Sequence, residues 1–213
     1  DAHNNTFTNN TATAPSQYGT HIHSSTGNTF IEHNSSGVRG IYFSDMSNNT
    51  LLRDCTYISG SSYDLYVSGG TKNINISLIN CSYNTSKENV SGDENYLIRQ
   101  WYYDARVLWN QTGSGLGGAN LTITNSTGDA VATSTTDANG DITRMELTDY
   151  KNQNGTRYYQ NNHSMTVTKA GYTTNSTSHN LSSDENIYEI FTLSLSNGIS
   201  NCQNITEAGY YIL

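Results

Sequence analysis

Through residues 1–92 the apolar positions come in short bursts that alternate with polar residues, against a background of Asn, Ser, Thr and Gly. The segments Asn28-Thr-Phe-Ile-Glu-His-Asn, Asn49-Thr-Leu-Leu-Arg-Asp-Cys and Asn75-Ile-Ser-Leu-Ile-Asn-Cys repeat one pattern, and Asn5-Thr-Phe-Thr-Asn-Asn-Thr is an earlier copy. Their first residues, Asn5, Asn28, Asn49 and Asn75, lie 23, 21 and 26 residues apart. Alternation over so few residues predicts strands, and a period of this length predicts a solenoid with one coil per repeat. A second burst keeps step: Gly19-Thr-His-Ile-His, Gly40-Ile-Tyr-Phe-Ser and Asp64-Leu-Tyr-Val-Ser. Each coil therefore holds at least two short strands, with Gly, Ser and Asn at the corners. Parallel stacking would separate successive coils by ~4.8 Å. Asn at one corner of every coil suits a left-handed backbone and can bond its counterparts along the axis. Ile22, Tyr42 and Leu65 or Tyr66 are expected to fill the interior.

After Asn95 the period stops. Tyr96–Trp109 reads as extended and aromatic-rich. Ala119–Asn125 and Ala130–Thr136 predict a hairpin, with Leu121 and Ile123 set against Val131 and a Gly-containing turn between them. Further strands are expected after Ile142, at His163–Lys169, at Thr173–His179 and at Tyr188–Leu195. About seven short strands at regular spacing predict a β-sandwich of ~100 residues. The organisation expected is a β-helix over 1–92, a sandwich over 93–196 and a separate segment over 197–213.

Eighteen acidic residues against ten basic ones leave a formal charge of −8. That balance argues against a nucleic-acid partner and supplies no polybasic patch for a membrane surface. No segment reads as a signal peptide, a membrane span or a lipidation motif. The chain holds sixteen Asn-x-Ser/Thr sequons, where its Asn and Ser/Thr content would give about seven by chance. They begin at Asn4, Asn9, Asn34, Asn48, Asn75, Asn80, Asn84, Asn89, Asn110, Asn120, Asn125, Asn154, Asn162, Asn175, Asn180 and Asn204. The excess points to an exported, N-glycosylated protein. Asn80 is expected to face inward and to carry no glycan. Three Cys, at 55, 81 and 202, leave at least one unpaired within the chain. Cys55 and Cys81 each follow their repeat Asn by six residues, so they are either a candidate disulfide between stacked coils or a buried pair of thiols.

The Asn-Thr-Phe/Leu and Gly-Ile-Tyr signatures resemble the right-handed parallel β-helices abundant in archaeal surface proteins. Pectate-lyase-like and periplasmic copper-processing β-helices are more distantly similar. Gly118-Ala-Asn-Leu-Thr-Ile-Thr-Asn, Thr136-Asp-Ala-Asn-Gly-Asp and Thr168-Lys-Ala-Gly-Tyr resemble carboxypeptidase-regulatory-like and bacterial Ig-like modules, which implies a spacer or stalk unit. The Ser200–Leu213 segment looks like the opening coil of such a β-helix, through Cys202, Ile205, Gly209, Tyr210, Tyr211, Ile212 and Leu213. Three accounts fit it: a fragment of a longer modular array, a tail folded back on its own helix, or a strand donated to the open first coil of a neighbour.

Candidate chemistry elsewhere is sparse. Glu32, Asp45, Asp54, Arg39 and Arg53 fall at different coil positions, without the aligned carboxylates of a glycosidase. His21 and His23 face one side of a strand, a start of a metal site with His3 or His33 but without an evident further ligand. Asp137, Asn139 and Asp141 read as a turn rather than a calcium loop. Trp101 and Trp109 read as packing residues before a carbohydrate platform. The expectation is a non-enzymatic, extracellular structural protein without cofactor other than N-glycans. Its partners would be identical subunits and cell-surface glycans, in a head-to-tail filament or surface layer. An adhesive or carbohydrate-active β-helix is the alternative.

Overall fold

The structure, a computed structural model, describes residues 3–68 and 74–196. It is all-β and divides into two compact units, residues 1–102 with 146–160, and residues 103–145 with 161 onward. The first unit is a β-solenoid of about four turns. Strands β1 (Thr6–Thr8), β3 (Thr29–Ile31), β5 (Thr50–Arg53) and β7 (Asn75–Ile79) stack in parallel as one sheet. Strands β2 (Thr11–His23), β4 (Asn34–Ser44), β6 (Ile58–Val67) and β8 (Glu88–Val90) stack as the other.

Register follows Thr6, Thr29, Leu51 and Ser77, so the coils advance by 23, 22 and 26 residues. The third copy thus aligns one residue later than its Asn suggests, and Leu51 N–H donates to Asn28 C=O. A slip of one residue exchanges the faces of every side chain in a strand. Here it buries Leu52 completely and frees Asn49 to take a corner with φ 53°, beside Asn4 at 55° and Gly27 at 68°. Inward columns then read Phe30, Leu52, Leu78 and Thr50, Ile76, Leu97 on the first sheet. On the second they read Ile41, Leu65 and Ile22, Phe43, Val67, Val90.

Tyr42 and Tyr66 alternate with these and face outward, contrary to the interior role expected for Tyr42, while of Leu65 and Tyr66 it is Leu65 that fills the interior. His21 stacks on Tyr42 at 4.6 Å, Tyr66 lies 5.5 Å beyond, and the Arg39 guanidinium sits 3.8 Å over the Tyr66 ring.

The corners carry the turn chemistry. Asn9, Glu32, Asp54 and Asn80 occupy one column with φ of 52°, 52°, 58° and 51°. Each donates its amide N–H one coil onward, to Ile31, Arg53, Ile79 and Gln100 C=O. The common property is the left-handed backbone, which Asn and Asp adopt most readily among non-glycine residues. The expected Asn ladder is one step long: Asn5 N–H donates to Asn28 Oδ1 at 3.1 Å, and Thr50 and Ile76 continue that column.

The late end of the solenoid is covered by a hairpin drawn from the stretch that sequence assigned to the sandwich. Tyr96–Gln100, the start of β9 (Tyr96–Trp109), stacks on β7. Beyond it lie β12 (Met145–Gln153) and β13 (Thr156–Tyr159), joined by Asn154-Gly155 at φ 47° and 77°. Two consecutive left-handed residues suit a tight hairpin. Tyr150 of β12 joins the solenoid core. Its hydroxyl and that of Tyr83 donate to the buried Glu88 carboxylate at 2.7 and 2.6 Å. Asn152 and Arg157 complete that carboxylate's partners, and Arg99 pairs with Asp149 at 3.0 Å. Burial first, then the Glu88 charge, pushes the Tyr83 and Tyr150 phenols well above their ordinary pKa, so both stay donors.

In the second unit, β11 (Ala130–Thr135), β10 (Asn120–Thr124), β14 (Asn162–Thr168) and β15 (Asn175–Asn180) form an antiparallel sheet. Tyr103–Trp109 of β9 pairs in parallel with β16 (Ile187–Leu193). Leu121, Ile123, Met165 and Val167 are buried from the first sheet, and Val107, Phe191 and Leu193 from the second pair. Val131 is 46% exposed and does not face Ile123, because Ile123 pairs with Ala132 and the register shifts there.

If the coil stack carries the solenoid's stability, Leu52→Ala should cost about 2–5 kcal/mol in urea unfolding. Phe7→Ala, in the half-covered first coil, should cost less, since its ring is 37% exposed.

Candidate assembly edge of the first coil

Among the described residues β1 pairs only with β3, and β2 only with β4. Both are edge strands. Asn5 C=O, Asn9 N–H, Asn10 C=O and Ser24 N–H are turned toward the second coil. Alternation then turns the backbone groups of Thr6, Thr8, Thr11, Thr13, His21 and His23 to the open side. Sheet edges are ordinarily blunted by charge, proline or bulges. No Lys, Arg, Asp or Glu lies on β1 or β2. Pro15 and a register shift between Ala14 and Tyr18 interrupt the middle of β2, and the stretches on either side remain regular. Phe7 stacks on Phe30 at 4.8 Å, continuing the apolar column to the edge.

Beneath this edge lies a buried polar group. Thr20 Oγ1 is 2.7 Å from His33 Nε2 and 2.8 Å from Ser35 Oγ. His33 is 4% exposed and its Nδ1 has no hydrogen-bond partner. Burial pushes its imidazole pKa below the ordinary value.

His33 shares its column with Cys55 and Cys81, both buried. Both are free thiols, so the candidate disulfide is not formed here. Cys55 Sγ lies 3.7 Å from Arg53 C=O and Cys81 Sγ 3.5 Å from Ile79 C=O. The two thiols make the same contact and point the same way, as parallel stacking dictates. Burial, then the neighbouring Cys55, pushes the Cys81 thiol up. Cys202, Ile205, Tyr210, Tyr211, Ile212 and Leu213, expected as the assembly segment, lie outside the described residues, as does Asn204.

The other candidates disperse. His21 Nε2 and His23 Nδ1 both approach Ser44 Oγ, at 2.8 and 3.0 Å, and His23 pairs with Asp45 at 2.9 Å. Among the described residues no three His, Cys, Asp or Glu side chains form a metal-ligand group. Arg53 binds Glu146 and Tyr102, and Asp54 accepts from Asn80 and Tyr102. Glu32 is an exposed corner residue. Asp137 Oδ1 accepts from the Asn139 and Asp141 amides and closes a turn. Trp101 is buried and Trp109 is half-buried. Among the described residues no helix is long and apolar enough to cross a membrane.

The sequons separate by which amide atom is engaged. A glycan is attached through Nδ2. Nδ2 donates to Asp54 in Asn80, to Ser194 in Asn110, to Asp93 in Asn154 and to Thr192 C=O in Asn175. In Asn34, Asn48, Asn84, Asn120, Asn125 and Asn180 the side-chain Oδ1 accepts instead, from nearby amides or hydroxyls. That polarity directs Nδ2 away from the bond. Asn4 and Asn9 are exposed, as is Asn162, while Asn89 is half-buried and Asn75 Oδ1 is buried without a partner.

Two outcomes follow. The unfolded chain protonates His33 first, so its contribution to stability is complete above about pH 6.5 and is lost as pH falls through the depressed value. Thermal unfolding of wild type should therefore decline more than that of His33→Asn from about pH 7 to about pH 5. In glycopeptide mass spectrometry of protein made in a glycosylating host, Asn84, Asn120, Asn125 and Asn180 should be occupied, and Asn80 and Asn154 empty.

No family model matches the chain, and no curated protein matches it. Among solved structures, the Bacillus anthracis TIE protein is 20% identical over 48% of this chain and 19% of its own, with a TM-score of 0.34. The shaft pilin SpaA from Lactobacillus rhamnosus GG, in a double-mutant form, is 14% identical over 49% of this chain and 52% of its own, with a TM-score of 0.33. Another structure of that pilin gives 15% identity and a TM-score of 0.32. This chain thus spans about half the length of the pilins and less of the TIE protein. TM-scores this low do not establish a shared fold.

Proposed function

We propose that the chain is a structural subunit of an extracellular filament or surface layer, N-glycosylated and assembled head-to-tail from identical copies. The observation that carries this reading is the contrast between the two ends of the solenoid. At the late end the chain's own β12–β13 hairpin extends the first sheet and puts Tyr150 on the core, and the edge strand of the second sheet, β8, carries the charge of Glu88; the early end has uncharged edge strands with no covering element among the described residues. A contact between two different surfaces on successive copies propagates into a fibre when its rotation does not close. The abundance of sequons and the resemblance of the repeats to archaeal surface β-helices support an extracellular setting. The functional part is then the backbone edge, without catalysis and without a cofactor beyond bound glycans.

A second reading, an adhesive β-helix that binds cell-surface glycans, draws on the outer face of the second sheet. There Arg39 lies among the Tyr18, Tyr42 and Tyr66 rings at 5.2, 4.8 and 3.8 Å. Binding on a glycan array that is lost in Arg39→Ala would favour it.

Electron microscopy of the purified chain should show filaments. Thr13→Pro removes a backbone donor on the open side of β2, where proline is tolerated at an edge. The variant should melt close to wild type and form no filaments. Wild-type filaments from Thr13→Pro would overturn the role of this edge.

A further inference from the structure

The outward row of the second sheet runs on past its aromatic members. His21 pairs with Tyr42, and Tyr42 with Tyr66. In the next coil Tyr66 pairs with Asn89, the first residue of the sequon Asn89-Val90-Ser91. Neighbouring strands of a sheet lie about 4.8 Å apart, so Asn89 takes the next place in the row. Its own neighbours fix its direction. The Glu88 side chain is fully buried and Val90 is 3% exposed. Alternation along β8 therefore turns Asn89 outward, on the same side of the sheet as Tyr66.

Two further observations bear on what occupies that place. The side-chain amide of Asn89 makes no hydrogen bond to any described residue, so its Nδ2 is unengaged, unlike that of Asn80, Asn110, Asn154 or Asn175. The surroundings of the Tyr66 ring are one-sided. Arg39 and Tyr42 approach it from the second coil at 3.8 and 5.5 Å, and Tyr63 from its own coil at 5.1 Å. Among the described residues no ring or cation reaches it from the fourth coil, where Asn89 stands.

We infer that Asn89 carries an N-glycan whose first pyranose rests on the Tyr66 ring. This rests on the N-glycosylated reading above and deepens it by giving one sugar a fixed seat. A pyranose presents a row of C–H bonds on one face, and the negative face of an aromatic ring attracts them. Tyr66 offers such a ring one strand spacing from the residue that bears the sugar. Arg39, Tyr42 and Tyr63 already hold that ring, so little side-chain freedom is lost when the sugar settles on it. The pairing of β8 with β6 spans only three residues, Glu88, Asn89 and Val90. A sugar attached to Asn89 and seated on Tyr66 braces that short pairing, and it covers the late end of the aromatic row. The occupant of this end of the row is then the chain's own glycan and not a free one.

The test uses protein made in a glycosylating host. Glycopeptide mass spectrometry should find Asn89 occupied. In NMR spectra the ring protons of its first sugar should be shifted upfield by the Tyr66 ring, and the shift should vanish in Tyr66→Leu. Asn89→Gln should lower Tm by about 2–4 °C in the wild-type background and by less in Tyr66→Leu, the coupling expected of groups in contact. In protein from a host that adds no glycans, Asn89→Gln should leave Tm unchanged in either background. An occupied Asn89 with unshifted sugar protons and additive changes in Tm would overturn the seat. An empty Asn89 beside occupied Asn84 and Asn120 would overturn the site and leave the glycosylated-subunit reading standing. A chain with no sugar at any sequon overturns both. Binding of the unglycosylated chain on a glycan array, lost in Tyr66→Leu, would give the row to a free glycan and overturn the inference.

Discussion

Everything in the first unit depends on parallel pairing between one coil and the next. That pairing joins strands of only three to thirteen residues, so the chain must turn sharply between them at the same place in every coil. The column Asn9, Glu32, Asp54, Asn80 meets that requirement by holding four non-glycine residues at positive φ and aiming each amide along the axis. Left-handed geometry is costly for most side chains and mild for Asn and Asp, which suits Asn4, Asn9, Asn49, Asp54 and Asn80 to these corners. The apolar columns stabilise a stack whose backbone path the corners have already set.

A solenoid has two ends, and each leaves a row of unpaired backbone groups. At the late end the chain supplies its own solution. The β12–β13 hairpin brings Tyr150 into the core and surrounds Glu88 with two phenols, an amide and a guanidinium. A buried carboxylate with that many partners is tolerable, and removing one partner would leave charge or polarity unsatisfied. At the early end β1 and β2 carry neither charge nor a covering element among the described residues. The asymmetry is chemical as well as geometric, and it is the reason for placing function on a backbone edge instead of on a cluster of side chains.

Much of this architecture is legible in the spacing of residues. The solenoid, its period, the two strands per coil and the stacking of Cys55 on Cys81 follow from spacing alone. So does the turn at Asp137–Asp141, since Asp and Asn before Gly close local bonds. The departures from expectation share a cause, which is that alternation alone does not say which residue faces in. Leu51 and Leu52 are both apolar, so alternation could not choose between them, and the register moved by one residue. Tyr42 and Tyr66 are large and apolar enough to pass for core, yet Ile41 and Phe43 on either side of Tyr42 claim the inward face, as Leu65 and Val67 do beside Tyr66. The β12–β13 hairpin reads like one more strand pair of the sandwich, although Asn154-Gly155 marks its turn.

The sequence by itself determined the class of the protein: an all-β chain with coils of 21–26 residues and corner Asn residues. These are local properties, set by φ preference and by the two-residue alternation of strands. Only the tertiary structure decided which of two neighbouring residues faces inward, which sequon amides are engaged, and which end of the solenoid is covered. Those outcomes depend on contacts between residues far apart in the chain, such as Glu88 with Tyr150 or Asn154 with Asp93, and no local pattern encodes such a pairing.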